Sequence, residues 1–302
     1  MFGRKTATSP AKLPVIIIPQ SARDSEKDYA LPSAVVDYVN YVLRTAMFER
    51  TEIPPEAMQA YHVDYYIAQV NNGGHSQYVG NSGWHQYQID DIRAGLAKLG
   101  IDDAIELYED LCAFADSHPE EFRKGMDARG FGKFPEFFKK ADKVFYDGLG
   151  DKLMKANRDW IASLDCLLVL PDSEIGEKMK GLSERNPLFE QRKREREEVE
   201  NKALTSDPIW QACHYLGLMA DEPLHIERWV SGMPTNGPEG VKGTVFNVLL
   251  ADGRTTTAFM FPQFGVMMKP DSNEKGAPIP MPMVQEWVMK HTGEYLPPAL
   301  WE

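Results

Sequence analysis

The 302-residue sequence has only three cysteines, Cys112, Cys166 and Cys213, far apart and odd in number. That excludes a disulfide framework and a paired Cys-x-x-Cys zinc module, and it fits a reducing cytoplasm. Long apolar runs are also missing. The strongest, Val15-Ile16-Ile17-Ile18, is stopped by Pro14 and Pro19, far short of the ~20 residues of a membrane span and too short for a secretory core. Positive charge is scarce: 33 Lys and Arg stand against 45 Asp and Glu, for a net charge of −12. A chain of that sign is a poor direct ligand for DNA, RNA or an anionic membrane, since neutralising phosphate takes Lys and Arg. There is no G-x-G-x-x-G after a strand, no phosphate-binding G-x-x-x-x-G-K-[ST], no G-x-S-x-G and no H-E-x-x-H. With those patterns go the chemistries they carry. No cofactor and no metal is expected, and the balance leans away from an enzyme.

What is present is an ordinary core-forming composition, 43% hydrophobic and 26% charged. Apolar residues recur at helical spacing from Pro32 through Val35, Val39, Val42 and Leu43. Helices are expected over about 55–70, 84–99, 102–117, 119–128, 135–146 and 155–169. Asn71-Asn72-Gly73-Gly74, Asn81-Ser82-Gly83 and Gly100 act as stops, because Asn and Gly tolerate the left-handed conformation at a helix end. The run 191–200 mixes four bases with four acids and reads as a solvated helix or connector. Beyond residue 205 the character changes. Helices are expected near 208–219 and 223–230. Two β-rich runs, 244–250 and 255–261, then flank Ala251-Asp252-Gly253-Arg254, a hairpin signal. Strand 265–268, a Pro-rich loop 270–282 and a final helix over 283–291 complete the module. The expected fold is a mainly α N-terminal helical domain with a smaller α+β C-terminal module. Its parts would be a flexible tail (1–12) and extended arm to residue 20, a helical domain 21–170, a charged helical connector 171–204, and the α+β module 205–302.

Candidate chemistry is sparse. Cys213, His214, Asp221, Glu222 and His225 are ligand types within thirteen residues, but their spacing fits no metal motif and Pro223 breaks the helix that would align them. A helix–turn–helix junction capped by Asp221 is the simpler reading. Cys112 and Cys166 lie among apolar residues and read as small buried hydrophobes. The segment from Tyr65 to Gly83 differs in kind, packing aromatics, amides and glycines together. Gly73 and Gly74 permit backbone turns closed to other residues, and Asn72 and Gln77 can bond nearby backbone groups. A tight helix–helix corner is the plainer reading; a loop that captures a partner or ligand is the other. Asn72, Gly73, Gly74, His75, Gln77, Tyr78 and Asn81 are the residues at stake.

An apolar-aromatic helix running into Asn-Gly-Gly, then x-x-Gln-Tyr, then Asn-Ser-Gly, resembles the DNA mimic protein nineteen family, a bacterial domain mostly of unknown function. Ile92-Arg93-Ala94-Gly95-Leu96-Ala97-Lys98-Leu99-Gly100 resembles that family's next helix, and Ala104-Ile105-Glu106-Leu107 opens another. The resemblance spans about 30–170. It implies an all-helical domain whose acidic surface imitates duplex DNA and binds a transcription repressor, and it does not imply an enzyme.

The residues agree in part. Over 99–122 the chain holds eight acids and no Lys or Arg, whereas ordinary surface helices mix signs. Asp102, Asp103, Glu106, Glu109 and Asp110 fall on one arc of the helix and are the expected contacts for a basic protein partner, a DNA-binding regulator among the candidates. A simple solvated face is the competing explanation. The alternative function is an enzyme or small-ligand binder, with a cleft between the helical domain and the C-terminal module lined by Asn72, His75, Gln77 and Tyr78.

Overall fold

A computed structural model describes residues 12–272 and 274–301. The tail expected over 1–12 falls, up to residue 11, outside the described residues. The chain divides into two compact units, Met1–Lys193 and Arg194–Glu302. The first is helical and the second is a small α+β unit.

The first unit opens with strand β1 (Ile16–Pro19), short helix α1 (Gln20–Asp24) and α2 (Ala30–Arg44). Then come α3 (Pro55–Ser82), α4 (Gln86–Leu99), α5 (Asp102–Ser117), α6 (Pro119–Ala128), α7 (Glu136–Val144), α8 (Gly150–Ala162), strand β2 (Leu167–Leu170) and α9 (Asp172–Arg185). The helix ends follow local chemistry. Pro55 and Pro119 sit in first turns, where a missing N–H costs nothing. Gly83 and Gly100 end α3 and α4 in the left-handed conformation, φ 64° at both.

One expectation fails here. The helix expected over 155–169 starts earlier, at Gly150, and stops at Ala162. The apolar run after it pairs in parallel with β1, Ile16 opposite Leu167 and Ile18 opposite Val169. A short apolar run is ambiguous between helix and strand, and the buried β-branched arm at 16–18 decides it by offering an open backbone edge. Asn71-Asn72-Gly73-Gly74 does interrupt the helix, as expected. Gly73 and Gly74 alone leave helical geometry, and the helix resumes at once.

Two apolar clusters fill the unit. One gathers the later part of α3 with α4–α8, around Tyr66, Tyr78, Tyr108, Phe138 and Phe145. The other gathers β1, α2 and the start of α3 with Ile161, and takes in Met179 and Leu182 of α9. Asp64, on α3, is half-buried without an ion pair among the described residues, and burial pushes its carboxyl from the ordinary 3.8 up to about 6. The folded state therefore holds this proton more tightly than the unfolded chain. Its contribution to stability is complete below about pH 4 and is lost as the pH rises through about 6, above which the buried charge is a cost. Asp64→Asn is expected to raise stability at about pH 8 by ~1–3 kcal/mol and to change little at about pH 4. Denaturant midpoints at the two pH values check this; an equal shift at both refutes it.

The second unit follows α10 (Phe189–Thr205), which crosses the division. Helix α11 (Pro208–Leu218) is capped by Asp207, whose carboxylate accepts the N–H groups of Ile209 (2.7 Å) and Trp210 (2.9 Å). Strands β3 (Ile226–Asn236), β4 (Lys242–Leu250), β5 (Thr255–Met260), β6 (Phe264–Met267) and β7 (Ile279–Pro280) form one antiparallel sheet in sequence order, followed by α12 (Met281–Thr292). The β4–β5 hairpin turns at Asp252-Gly253 as expected, with Gly253 at φ 85°. The helix expected over 223–230 is instead the start of β3: past Pro223, Ile226, Arg228 and Trp229 pair with β4, opposite Leu250, Leu249 and Val248. Asp221 consequently has no helix to cap. The stretch 270–282, expected as loop, supplies β7. Helices α11 and α12 pack on the sheet over a core that includes Met260, Met267 and Met281.

Candidate functional site

The Gly-Gly break in α3 is built from five elements. Gly73 has φ −163° and ψ 27°; Gly74 has φ 75° and ψ −179°, a region essentially restricted to glycine. The break leaves the N–H of His75 without a helical partner. Asp142, reaching over from α7, takes it: Oδ1 accepts the His75 backbone N–H at 2.7 Å and the ring Nδ1–H at 2.8 Å. That assigns the ring proton to Nδ1, so Nε2 accepts from the Tyr66 hydroxyl at 2.9 Å. The Ser76 hydroxyl donates to the carbonyl of Gly125 on α6 (2.5 Å) and accepts the N–H of Gly130 (3.0 Å). Tyr146 donates to the carbonyl of Val70 at 2.5 Å. Gln77 and Asn81 both donate to Oε1 of Gln69, at 3.1 and 2.8 Å. Side chains from α7 and the turn after α7 thus satisfy backbone groups that the break exposes, while the Ser76 side chain ties the break to the backbone of α6 and of the loop after it.

The order Tyr66–His75–Asp142 is that of a proton relay, but its setting denies it that work. His75 is 0% exposed and Tyr66 is 0% exposed. Burial raises the Tyr66 phenol well above its ordinary value, so it stays protonated and is no nucleophile. The Tyr78 hydroxyl meets that of Tyr108 on α5 at 2.8 Å, and both phenols are raised by burial. Tyr66 stacks edge-on against Tyr78, Tyr108 and Phe145, with ring centres 4.9, 5.3 and 5.9 Å away. The expectation that His75, Gln77 and Tyr78 line a cleft is therefore corrected. All three are buried inside the first unit: His75 meets Asp142 of α7, Tyr78 meets Tyr108 of α5, and Gln77 bonds to Gln69 of α3. Asn72 and Asn81 stay exposed. The corner reading holds. Asp142 and Ser76 are the residues missed in sequence. The one available signal was an acid one position after Ala141 and four after Phe138, on the apolar side of α7.

Helix α5 presents its inner face through Ala104, Leu107, Tyr108, Leu111, Cys112 and Phe114. Asp102, Asp103, Glu106, Glu109 and Asp110 are all exposed on the other. Asp102 and Asp103 occupy the first turn, where the helix dipole favours negative charge. Glu109 departs from the expectation of an unopposed row. Arg93 of α4 grips it with two bonds, Nε to Oε1 at 2.7 Å and Nη2 to Oε2 at 2.6 Å. The counter-charge comes from a neighbouring helix, so the 99–122 window did not contain it. The Tyr78–Tyr108 contact places the Gly-Gly corner behind α5, on the side opposite the acids.

Elsewhere the chemistry is quiet. Burial pushes the Cys112 thiol up to about 11 and raises those of Cys166 and Cys213 also, which makes all three poor nucleophiles. His214 stacks on Trp210, ring centres 4.7 Å apart, and burial lowers its pKa. Among the described residues no group of three His, Cys, Asp or Glu could hold a metal ion, and no helix is long and apolar enough to cross a membrane.

Residues 51–164 match the family described as DMP19-like protein. The match runs from just before α3 to just beyond α8 and contains both the Gly-Gly corner and α5. No curated protein and no solved structure shows a significant match to the chain.

Proposed function

We propose that the DMP19-like stretch, residues 51–164, is a protein-binding module that presents the outer face of α5 to a basic partner, a DNA-binding regulator being the partner of best-fitting chemistry. The observation that carries this reading is the row Asp102, Asp103, Glu106, Asp110 and Asp116, exposed and without an ion pair among the described residues, on a helix packed from behind against the Gly-Gly corner. Its density sets the scale. Sixteen residues span about 24 Å, over which duplex DNA carries ~14 charges and one of its strands ~7. Five carboxylates approach a single phosphate strand and fall well short of a duplex. The row therefore suits a partner surface that grips one backbone strand, with electrostatics setting encounter rate and orientation.

The test is the quadruple variant Asp102→Lys, Asp103→Lys, Glu106→Lys and Asp110→Lys, sparing Glu109 because Arg93 already holds it. In low-salt capture from host lysate, the wild-type chain is expected to retain a basic DNA-binding protein that short duplex DNA displaces. The variant is expected to bind it at least tenfold more weakly with an unchanged circular dichroism spectrum, and the wild-type complex is expected to weaken steeply as salt rises. Identical proteins retained by both chains would end this reading.

A further inference from the structure

The sheet of the second unit turns one face to α11 and α12. Phe246, Ala258 and Met267, opposite one another on β4, β5 and β6, point to that side and join its core. Their neighbours Val245, Phe259 and Val266 are also opposite one another. They form an apolar row on the other face, since successive side chains in a strand alternate. A cavity of about 530 Å³ adjoins this row and takes Val266 into its wall. Phe261, Phe264 and three prolines supply most of the remaining lining. Those walls are fixed. Phe261 packs against both Phe259 and Phe264, ring centres 6.4 and 5.1 Å away. It also rests on bare backbone at Gly237 and Gly243, where an added Cβ would stand 2.5 and 2.4 Å from its ring. The two polar side chains lining the cavity are Gln263 and Lys275, so Lys275 is the single charge there. Its backbone is bridged to Met268, and its ammonium is held 5.5 Å from the centre of the Phe259 ring.

Concave, aromatic-walled cavities of ~300–1,000 Å³ with a few polar groups are the common form of a small-molecule site, and the polar groups set the charge of the ligand. We propose that this cavity binds a small amphipathic carboxylate, an acyl or aryl monoanion. Its apolar body packs against Phe261, Phe264 and Val266. Its carboxylate meets the Lys275 ammonium, and the Gln263 amide is a further donor. A cationic ligand would meet Lys275 with like charge, and a neutral one would leave it unanswered. One lysine balances one negative charge, and the field of a chain of net charge −12 opposes a more highly charged anion. The cavity lies wholly in the second unit and shares no residue with 51–164, so this proposal and the α5 reading stand or fall separately.

Isothermal titration of the full chain with octanoate, octanol and octylammonium at neutral pH tests it, because the three share a body and differ in charge. Octanoate and 4-phenylbutanoate are expected to bind saturably. Octanol is expected to bind about fivefold more weakly, the upper end for a partly exposed lysine–carboxylate pair, and octylammonium not measurably. In methyl-labelled protein, octanoate is expected to shift the NMR signals of Val266. Lys275→Gln is expected to weaken octanoate about fivefold and leave octanol unchanged, and Lys275→Glu to reverse the order of octanoate and octylammonium. Lys275 is exposed, so both variants should unfold thermally near wild type. Failure of both carboxylates to bind, equal binding of the three octyl probes, or carboxylate binding indifferent to Lys275→Gln overturns the proposal. Octanoate shifts that leave Val266 untouched overturn it also, by placing the probe elsewhere.

Discussion

Gly74→Ala is expected to destabilise the protein by about 3–5 kcal/mol, the combined effect of a strained backbone and a displaced partner. At φ 75° and ψ −179° an L-residue is strained wherever it has room. Here it has none, because an added Cβ would lie 2.5 Å from Oδ2 and 2.8 Å from Oδ1 of Asp142. A flexible side chain could swing aside at small cost, but this one is tied to the N–H and ring of His75. Moving it forfeits both bonds. Gly100 makes the comparison: its φ is 64° and nothing lies within 4 Å of the Cβ position, so Gly100→Ala should cost only the left-handed penalty of about 1–2 kcal/mol. Urea unfolding of the two variants measures the difference, and equal losses would show that the Asp142 contact contributes nothing.

Asp142→Ala is expected to cost a similar ~3–5 kcal/mol, by another route. The carboxylate is the acceptor for two donors of His75, a residue sealed from solvent. Removing it strands a backbone N–H and a ring N–H of a fully buried residue. Asp142→Asn keeps one carbonyl oxygen in place and should lose ~1–2 kcal/mol. Because Gly74 and Asp142 act on each other, their losses should not add: the double variant Gly74→Ala, Asp142→Ala should be at least ~1 kcal/mol more stable than the sum predicts, since the clash disappears while the strain remains. Additive losses in unfolding experiments would mean that the corner tolerates rearrangement and that Asp142 is a local ion-pair partner only.

Much of the helical unit was legible residue by residue. Its stops at Gly83 and Gly100, proline starts at 55 and 119, and the amphipathic face of α5 depend on a few neighbouring residues, and the structure repeats them. The hairpin at Asp252-Gly253 was legible for the same reason. The errors fell where the outcome depended on a distant segment. Leu167–Leu170 is a strand because Ile16–Pro19 lies alongside it, and Ile226–Asn236 is a strand because β4 does. Asn71-Asn72-Gly73-Gly74 was legible as a break in the helix; that a second helical stretch starts at once was not, because Asp142, 67 residues onward from His75, supplies its cap.

The candidate sites divide in the same way. Sequence by itself determined that the chain is acidic, that α5 would be acid on one arc and apolar on the other, and that the Asn-Gly-Gly segment resembled a known family, since composition, helical period and motif are local properties. Tertiary structure alone decided that Glu109 is held by Arg93 while its neighbours are not. It also decided that His75, Gln77 and Tyr78 face inward as a structural lock. Pairing, burial and exposure are relations between segments brought together by packing. A one-dimensional pattern fixes which side chains are available, and the packed fold selects which of them meet each other and which meet solvent.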